Sequence, residues 1–215
     1  MPADLIHLVR HGEVHNPEGV LYGTLEGFRL SERGQQMAAL AAESMAGRDI
    51  TGLYASPLQR TQESAAPWAT RFGLDINIDP RLIEPRNRFE GYNIRRELRR
   101  RPLLARYLVN PWRPSWGEPF ASIANRMMAA IADIHQATEH GEAVIVSHQL
   151  PIWMVARTVQ GKPLATDPRR RRCTLSSITT IAADPSDPTG SRFVEVDYQE
   201  PARELLLESI DLGAV

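Results

Sequence analysis

Short apolar runs and longer amphipathic stretches take turns along the chain. Leu5 to Val9 reads as a buried strand and stops at Arg10-His11-Gly12-Glu13. Residues 12–30 carry Gly12, Pro17, Gly19, Gly23 and Gly27, and read as loop. Ser31 is placed to cap a helix running through "ERGQQMAALAAESMAG" to about Gly47. "GLYAS", 52–56, predicts a second strand ending at Pro57. A helix follows over 58–73, with Pro67 as its flaw and Gly73 as its stop. "LDINI", 74–78, predicts a third strand. "PFASIANRMMAAIADIHQATEHG", 119–141, has the period of a long amphipathic helix, "EAVIVSH", 142–148, is a clean apolar strand, and 150–161 returns to helix. Residues 174–183 and 192–199 are β-prone on either side of "DPSDPTG" and predict a hairpin. Residues from about 200 to 215 read as a loose tail.

Strands alternating with helices predict an α/β fold with a mostly parallel sheet. One block breaks the alternation. Residues 80–117 are rich in arginine and proline and poor in strand signals, and "IRRELRRRPLLARYLV" predicts a helix broken near Pro102. This block reads as a helical lid inserted into a single domain spanning 1–215. Between 81 and 113 it holds ten arginines and three glutamates, a positive rim for an anionic substrate.

The bulk numbers set limits on function. The 215 residues carry a net charge of −1 and ordinary apolar (42 %) and charged (24 %) fractions, so no global field selects nucleic acid or an acidic membrane. The run Arg169 to Arg172 lacks the interleaved aromatics of a stacking platform, and reads as a solvated loop. No stretch resembles a signal peptide or a membrane span. The single cysteine, Cys173, excludes an internal disulfide. A cytoplasmic protein acting on a small molecule is expected, with no nucleic-acid or membrane partner; an exposed edge strand or the tail offers a way to a homodimer.

Ligands of such sheets sit beyond the carboxyl ends of the strands. Arg10 and His11 follow the first strand. Arg60 stands one turn into the helix after the second. His148 ends the strand at 142–148. Two arginines and two histidines, drawn from three distant parts of the chain, thus converge on the same end of one sheet. Arginine forks match phosphate oxygens, and a neutral histidine is a competent nucleophile.

"LVRHGE", "ASPLQRTQESA" and "VIVSH", in that order and spacing, resemble the histidine phosphatase superfamily, also called the phosphoglycerate mutase-like family, over nearly the whole chain. The resemblance implies a three-layer α/β/α sandwich and chemistry without metal or other cofactor. It implies that His11 attacks phosphorus, that Arg10, Arg60 and His148 clamp the phosphoryl oxygens, and that a lid glutamate protonates the leaving oxygen. Glu84 in "RLIEPRNRFEG" matches the donor position, with Glu90 in reserve. Asn16 resembles the asparagine that completes the phosphate pocket. Gln149 stands where many members carry glycine, and its backbone N–H is placed to face phosphate.

The expected function is a metal-independent phosphatase of a small phosphorylated metabolite, working through a phosphohistidine. Two alternatives are a phosphoglycerate-type phosphomutase and a phosphate-binding module without turnover. A third, a metallohydrolase built on His11 and His15, is opposed by Gly12 and Pro17, which disfavour the helix that would align the pair. Ser56 and Ser147 lack the glycine-flanked elbow of serine hydrolases.

Overall fold

A computed structural model describes residues 2–101, 103, 117–165, 170–187, 192–207 and 209, with the side chains of 94, 95 and 98 left aside. Strands β1 (Leu5–Arg10), β2 (Ile50–Ala55), β3 (Asn77–Ile78), β4 (Glu142–Ser147), β5 (Ile178–Ala183) and β6 (Phe193–Gln199) form one sheet in the order β3-β2-β4-β1-β5-β6. β3, β2, β4 and β1 pair in parallel. β5 runs antiparallel to both β1 and β6, so it alone opposes the rest. The mostly parallel sheet and the hairpin therefore stand as the sequence pattern predicts.

Helices cover both faces. Alternation along β4 sorts its side chains between them. Val144 and Val146 pack with Ala41, Ala42 and Met45 of α1 (Glu32–Ser44) and its C-terminal cap, and with Ala65 and Trp68 of α2 (Gln59–Phe72). Ala143 and Ile145 pack with α4 (Phe120–Ala137) and α5 (Gln149–Val159). The result is an α/β/α sandwich whose central strand is buried at every residue. Such a strand reads as a continuous apolar run, as "EAVIVS" does.

Several boundaries differ from the pattern. The third strand is two residues long, because Leu74 and Ile76 turn to pack against the α1–α2 face. Pro67 lies inside α2 without ending it. In the segment expected to form a lid, α3 covers Ile94–Arg100; the expected continuation from Pro102 to 109 lies outside the described residues, apart from residue 103. The tail is not loose throughout. Buried Ala202 precedes a short helix, α6 (Arg203–Leu206), whose leucines pack against Met37 and Leu175. No described helix is long and apolar enough to cross a membrane.

Candidate active site

The site lies where β1, β2 and β4 end. Arg10 is the last residue of β1, and His11 follows it with its N–H donating to Ser147 O at 3.1 Å. Gly12 lets the chain turn hard against α1: a Cβ there would lie 2.3 Å from Gly34 O. Gly12 N also donates to Ser64 Oγ on α2, at 3.1 Å. After β2, Thr61 Oγ1 donates to Ser56 O at 2.8 Å and closes the turn that sets Arg60 on the inner side of α2. After β4, His148 is the residue preceding the first turn of α5. Ser147 Oγ donates to Leu82 O at 2.7 Å, which hooks the segment carrying Glu84 over the same strand end.

These turns bring the expected residues together. Arg10, His11, Arg60 and His148 are all buried, none more than 3 % exposed. The two histidine rings stand edge to face with centroids 5.3 Å apart. Arg60 Nη2 approaches His148 Nδ1 at 3.3 Å and donates to Gly23 O at 2.6 Å, while its guanidinium lies 4.7 Å over the Tyr22 ring. Arg10 Nη1 donates to Cys173 O at 2.7 Å. Glu84 Oε2 stands 3.9 Å from His148 Nδ1, with its side chain 20 % exposed.

His11 Nδ1 lies 2.8 Å from the carbonyl of Gly12. A carbonyl only accepts, so Nδ1 carries the proton, and the neutral ring keeps its lone pair on Nε2. Burial holds the His11 pKa well below the usual 6.5, and Arg60 and Arg10 depress it further. Burial, Arg60 and His11 do the same to His148. Glu84 moves the other way. Burial pushes its carboxyl up to about 7, against the pull of Arg60, Arg171 and Arg10. The site thus pairs neutral histidines with a carboxyl group that is partly protonated at neutral pH.

The remaining expected residues are placed differently. Glu90 is a staple: its Oε1 accepts from Thr24 N at 3.0 Å and Asn87 N at 2.9 Å, tying the loop after β1 to the segment around Asn87. Asn16 closes its own turn, its Nδ2 donating to Val20 O and its Oδ1 accepting from Val20 N; those bonds do not join it to the cluster. Gln149 opens α5, and its side-chain Nε2 donates to Cys173 O at 3.4 Å. His15 is exposed, and among the described residues no three His, Cys, Asp or Glu side chains form a metal-holding group.

Four residues at the site escaped the sequence pattern. Ser56 Oγ bonds His148 Nε2 at 2.8 Å and fixes that ring; only its position after a strand signalled it. Ser147 anchors the Glu84 segment. Tyr22 lies under Arg60 from within a glycine-rich loop that gave no signal. Arg171 was expected in a solvated loop, yet it is half-buried, with its Nη1 donating to Gln149 Oε1 at 3.2 Å. Of the neighbouring arginines, Arg172 does lie toward solvent, over Tyr198.

The sequence profile of the histidine phosphatase superfamily (branch 1) matches residues 6–195. The chain belongs to that superfamily. Within it, an uncharacterized protein of Mycobacterium tuberculosis is 48 % identical over 199 residues, 92 % of this chain and 96 % of its own length. A probable phosphoglycerate mutase of Enterobacter sp. is 31 % identical over 80 % of this chain and 83 % of its own. Phosphoserine phosphatase 1 of Hydrogenobacter thermophilus is 30 % identical over 67 % of this chain and 71 % of its own. Among solved structures, a mycobacterial glucosyl-3-phosphoglycerate phosphatase superposes with a TM-score of 0.73 at 24 % identity, covering 92 % of this chain and 99 % of that one. That phosphatase shares the α/β fold seen here.

Proposed function

We propose that the protein is a phosphatase of small phosphate esters that works through a phosphohistidine on His11. The observation that carries this reading is the buried His11 ring, with Nδ1 fixed on Gly12 O and Nε2 left as a lone-pair donor beside two buried arginines. In the first half-reaction, the Nε2 lone pair forms a bond to phosphorus as the bond to the ester oxygen breaks. Protonated Glu84 gives its proton to the departing alcohol. Arg10, Arg60 and His148 hold the phosphoryl oxygens, and the arginines offset the charge that spreads over them. In the second half-reaction, Glu84 carboxylate takes a proton from water as the water oxygen bonds phosphorus. The N–P bond breaks, its electron pair returns to Nε2, and inorganic phosphate leaves. Glu84, rather than Glu90, is assigned the proton because it stands next to His148, whereas Glu90 is taken up by the backbone amides of Thr24 and Asn87.

The phosphatases among the similar proteins support hydrolysis; the probable phosphoglycerate mutase supports phosphoryl transfer to a second hydroxyl by the same first step. Phosphate release from a panel of esters, with a chelator present, tests the reading. Release by the wild type and none by His11→Ala is the expected result. Release by both variants overturns the His11 mechanism. No release from any ester, together with interconversion of 2- and 3-phosphoglycerate, would establish the mutase.

A further inference from the structure

Glu90 has no part in the proton transfers above, yet its bonds lead to Arg60. Its Oε1 accepts from Thr24 N at 3.0 Å and from Asn87 N at 2.9 Å, and the Thr24 hydroxyl donates to its two oxygens at 3.2 and 3.1 Å. Thr24 N belongs to the peptide group that joins Gly23 to Thr24. The carbonyl of that same group, Gly23 O, accepts from Arg60 Nη2 at 2.6 Å. In a trans peptide the N–H and C=O point in opposite directions. One planar unit thus stands between carboxylate and guanidinium, its N–H on Glu90 and its C=O on Arg60.

Both charges favour that orientation of the peptide dipole. Each of the two bonds is charge-assisted, and each polarises the peptide group in the sense that strengthens the other. Gly23 is what lets the unit lie there. Its φ is 40°, and a Cβ on it would overlap the Glu90 carboxyl group. The electrostatics agree: burial depresses the Arg60 pKa, while Tyr22, Glu84 and Glu90 pull it back up.

Arg60 depends on such a hold. Its guanidinium lies 4.7 Å over the Tyr22 ring, and Nη2 is shared between Gly23 O and, at 3.3 Å, His148 Nδ1. Its Nε is buried and has no hydrogen-bond partner among the described residues. A guanidinium is planar, so pinning one face and one Nη2 also fixes the direction of the Nε–H. That N–H is the one left to meet a phosphoryl oxygen. The loop carrying Gly23 is clipped a second time, by Gly91 N donating to Leu21 O at 2.8 Å and Leu21 N donating to Tyr92 O at 3.0 Å. Loss of the Glu90 carboxylate therefore frees the Gly23–Thr24 peptide to turn without releasing the loop.

We propose that Glu90 is a positioning residue: through the Gly23–Thr24 peptide it sets the orientation of the Arg60 guanidinium in the phosphoryl clamp. The kinetic side of this proposal rests on the phosphatase reading above. The role differs from that of Glu84. Glu84 gives up and regains a proton, and matters most for esters with poor leaving groups. Glu90 acts only as an acceptor, and the orientation of Arg60 matters equally for every phosphate ester.

The test is a double-mutant cycle between Glu90 and Arg60. It is read in kcat/KM for p-nitrophenyl phosphate, in kcat/KM for glycerol 3-phosphate, whose leaving group is poor, and in affinity for inorganic phosphate. Glu90→Ala alone is expected to lower all three about tenfold, and Glu90→Gln, which keeps the acceptor oxygen without the charge, to lower them less. In an Arg60→Ala background, Glu90→Ala should change each by no more than about twofold, because no guanidinium is left to orient. The same loss in both backgrounds, or no loss in either, overturns the proposal. A loss confined to glycerol 3-phosphate also overturns it, since a proton donor behaves that way. The Arg60 Nε–H resonance, assigned by its disappearance in Arg60→Ala, gives a readout that needs no turnover. It should shift or broaden in Glu90→Ala, and an unchanged signal counts against the proposal. If the wild type hydrolyses neither ester, the phosphatase reading fails and this resonance decides the role of Glu90. Melting curves identify a variant that does not fold; if Glu90→Ala is one, Glu90→Gln carries the cycle.

Discussion

Two buried histidines on and just after β1, four residues apart, live in opposite electrostatic surroundings. His7 is 1 % exposed and His11 is 3 % exposed. His7 Nε2 bonds Glu142 Oε2 at 2.8 Å, and Nδ1 bonds Thr180 Oγ1 at 3.0 Å, so both ring nitrogens have protein partners. Glu142 is in turn held by Arg48 Nε and Nη2 at 2.8 and 2.6 Å. His11 has one bonded nitrogen, and its charged neighbours are arginines. Burial lowers both pKa values, but Glu142 pulls His7 back up while Arg60 and Arg10 drive His11 further down. A carboxylate with a second hydrogen-bond partner makes a histidine part of the scaffold. Cations around an open nitrogen make it a reagent.

The largest expected effect separates these two roles. His11→Ala removes the nucleophile and should lower kcat by at least about a thousandfold, with the melting temperature close to wild type. His7→Ala should do the reverse. It leaves Thr180 and part of Glu142 without a buried partner and opens a cavity, a loss of about 2 to 4 kcal/mol, with kcat per folded molecule retained. Chemical denaturation and initial rates on the same preparations check both. A comparable loss of turnover in His7→Ala would break the comparison.

Next comes Glu84, with an expected loss of about a hundredfold or more for esters with poor leaving groups on Glu84→Gln. The sign of the pH dependence follows from its raised pKa. The acid form must be present to protonate the alcohol, so the rate constant for such esters should fall as pH rises through about 7. An activated ester such as p-nitrophenyl phosphate should lack that limb, and Glu84→Gln should lose it. The same shift acts on stability in the opposite sense to a paired carboxylate. The folded state holds the Glu84 proton more tightly than the unfolded chain does, so stability is lost as pH rises from 4.5 past 7. Glu84→Gln should recover up to about 3 kcal/mol at pH 8.

Much of this site was legible because its residues stand at strand ends. The apolar runs Leu5–Val9 and 142–147 stop on Arg10-His11 and His148, and a parallel sheet places such ends together. Arg60 was legible through its position in the helix after β2. What stayed hidden depends on contacts between segments far apart in sequence. Glu84 and Glu90 lie six residues apart in one arginine-rich segment; only the Ser147–Leu82 bond and the Thr24 staple separate them. Arg171 looked like its three neighbours; only its bond to Gln149, 22 residues earlier in the chain, sets it apart. The short β3 and the docked α6 were missed for the same reason: where an isolated apolar side chain points depends on which helix faces it, as at Ile76 and Leu205.

The smallest expected effect sharpens the scaffold side of the comparison. Arg48 is 41 % exposed at its side chain, so its bond to Glu142 is screened by water, whereas His7 grips the same carboxylate from inside. Burial tends to raise the Glu142 pKa, yet the Arg48 and His7 hydrogen bonds outweigh it and hold the group below 4.5. A carboxyl group with a depressed folded pKa contributes stability that is present above 4.5 and lost as pH falls through the folded value. Arg48→Ala should therefore cost about 1 kcal/mol or less at pH 7, well under the cost of His7→Ala, and the difference from wild type should vanish at acid pH. Denaturation midpoints at pH 7 and pH 3 measure it. If Arg48→Ala proved as costly as His7→Ala, the exposed half of the network would be setting the stability, and the buried histidine would owe its place to packing rather than to the carboxylate it holds.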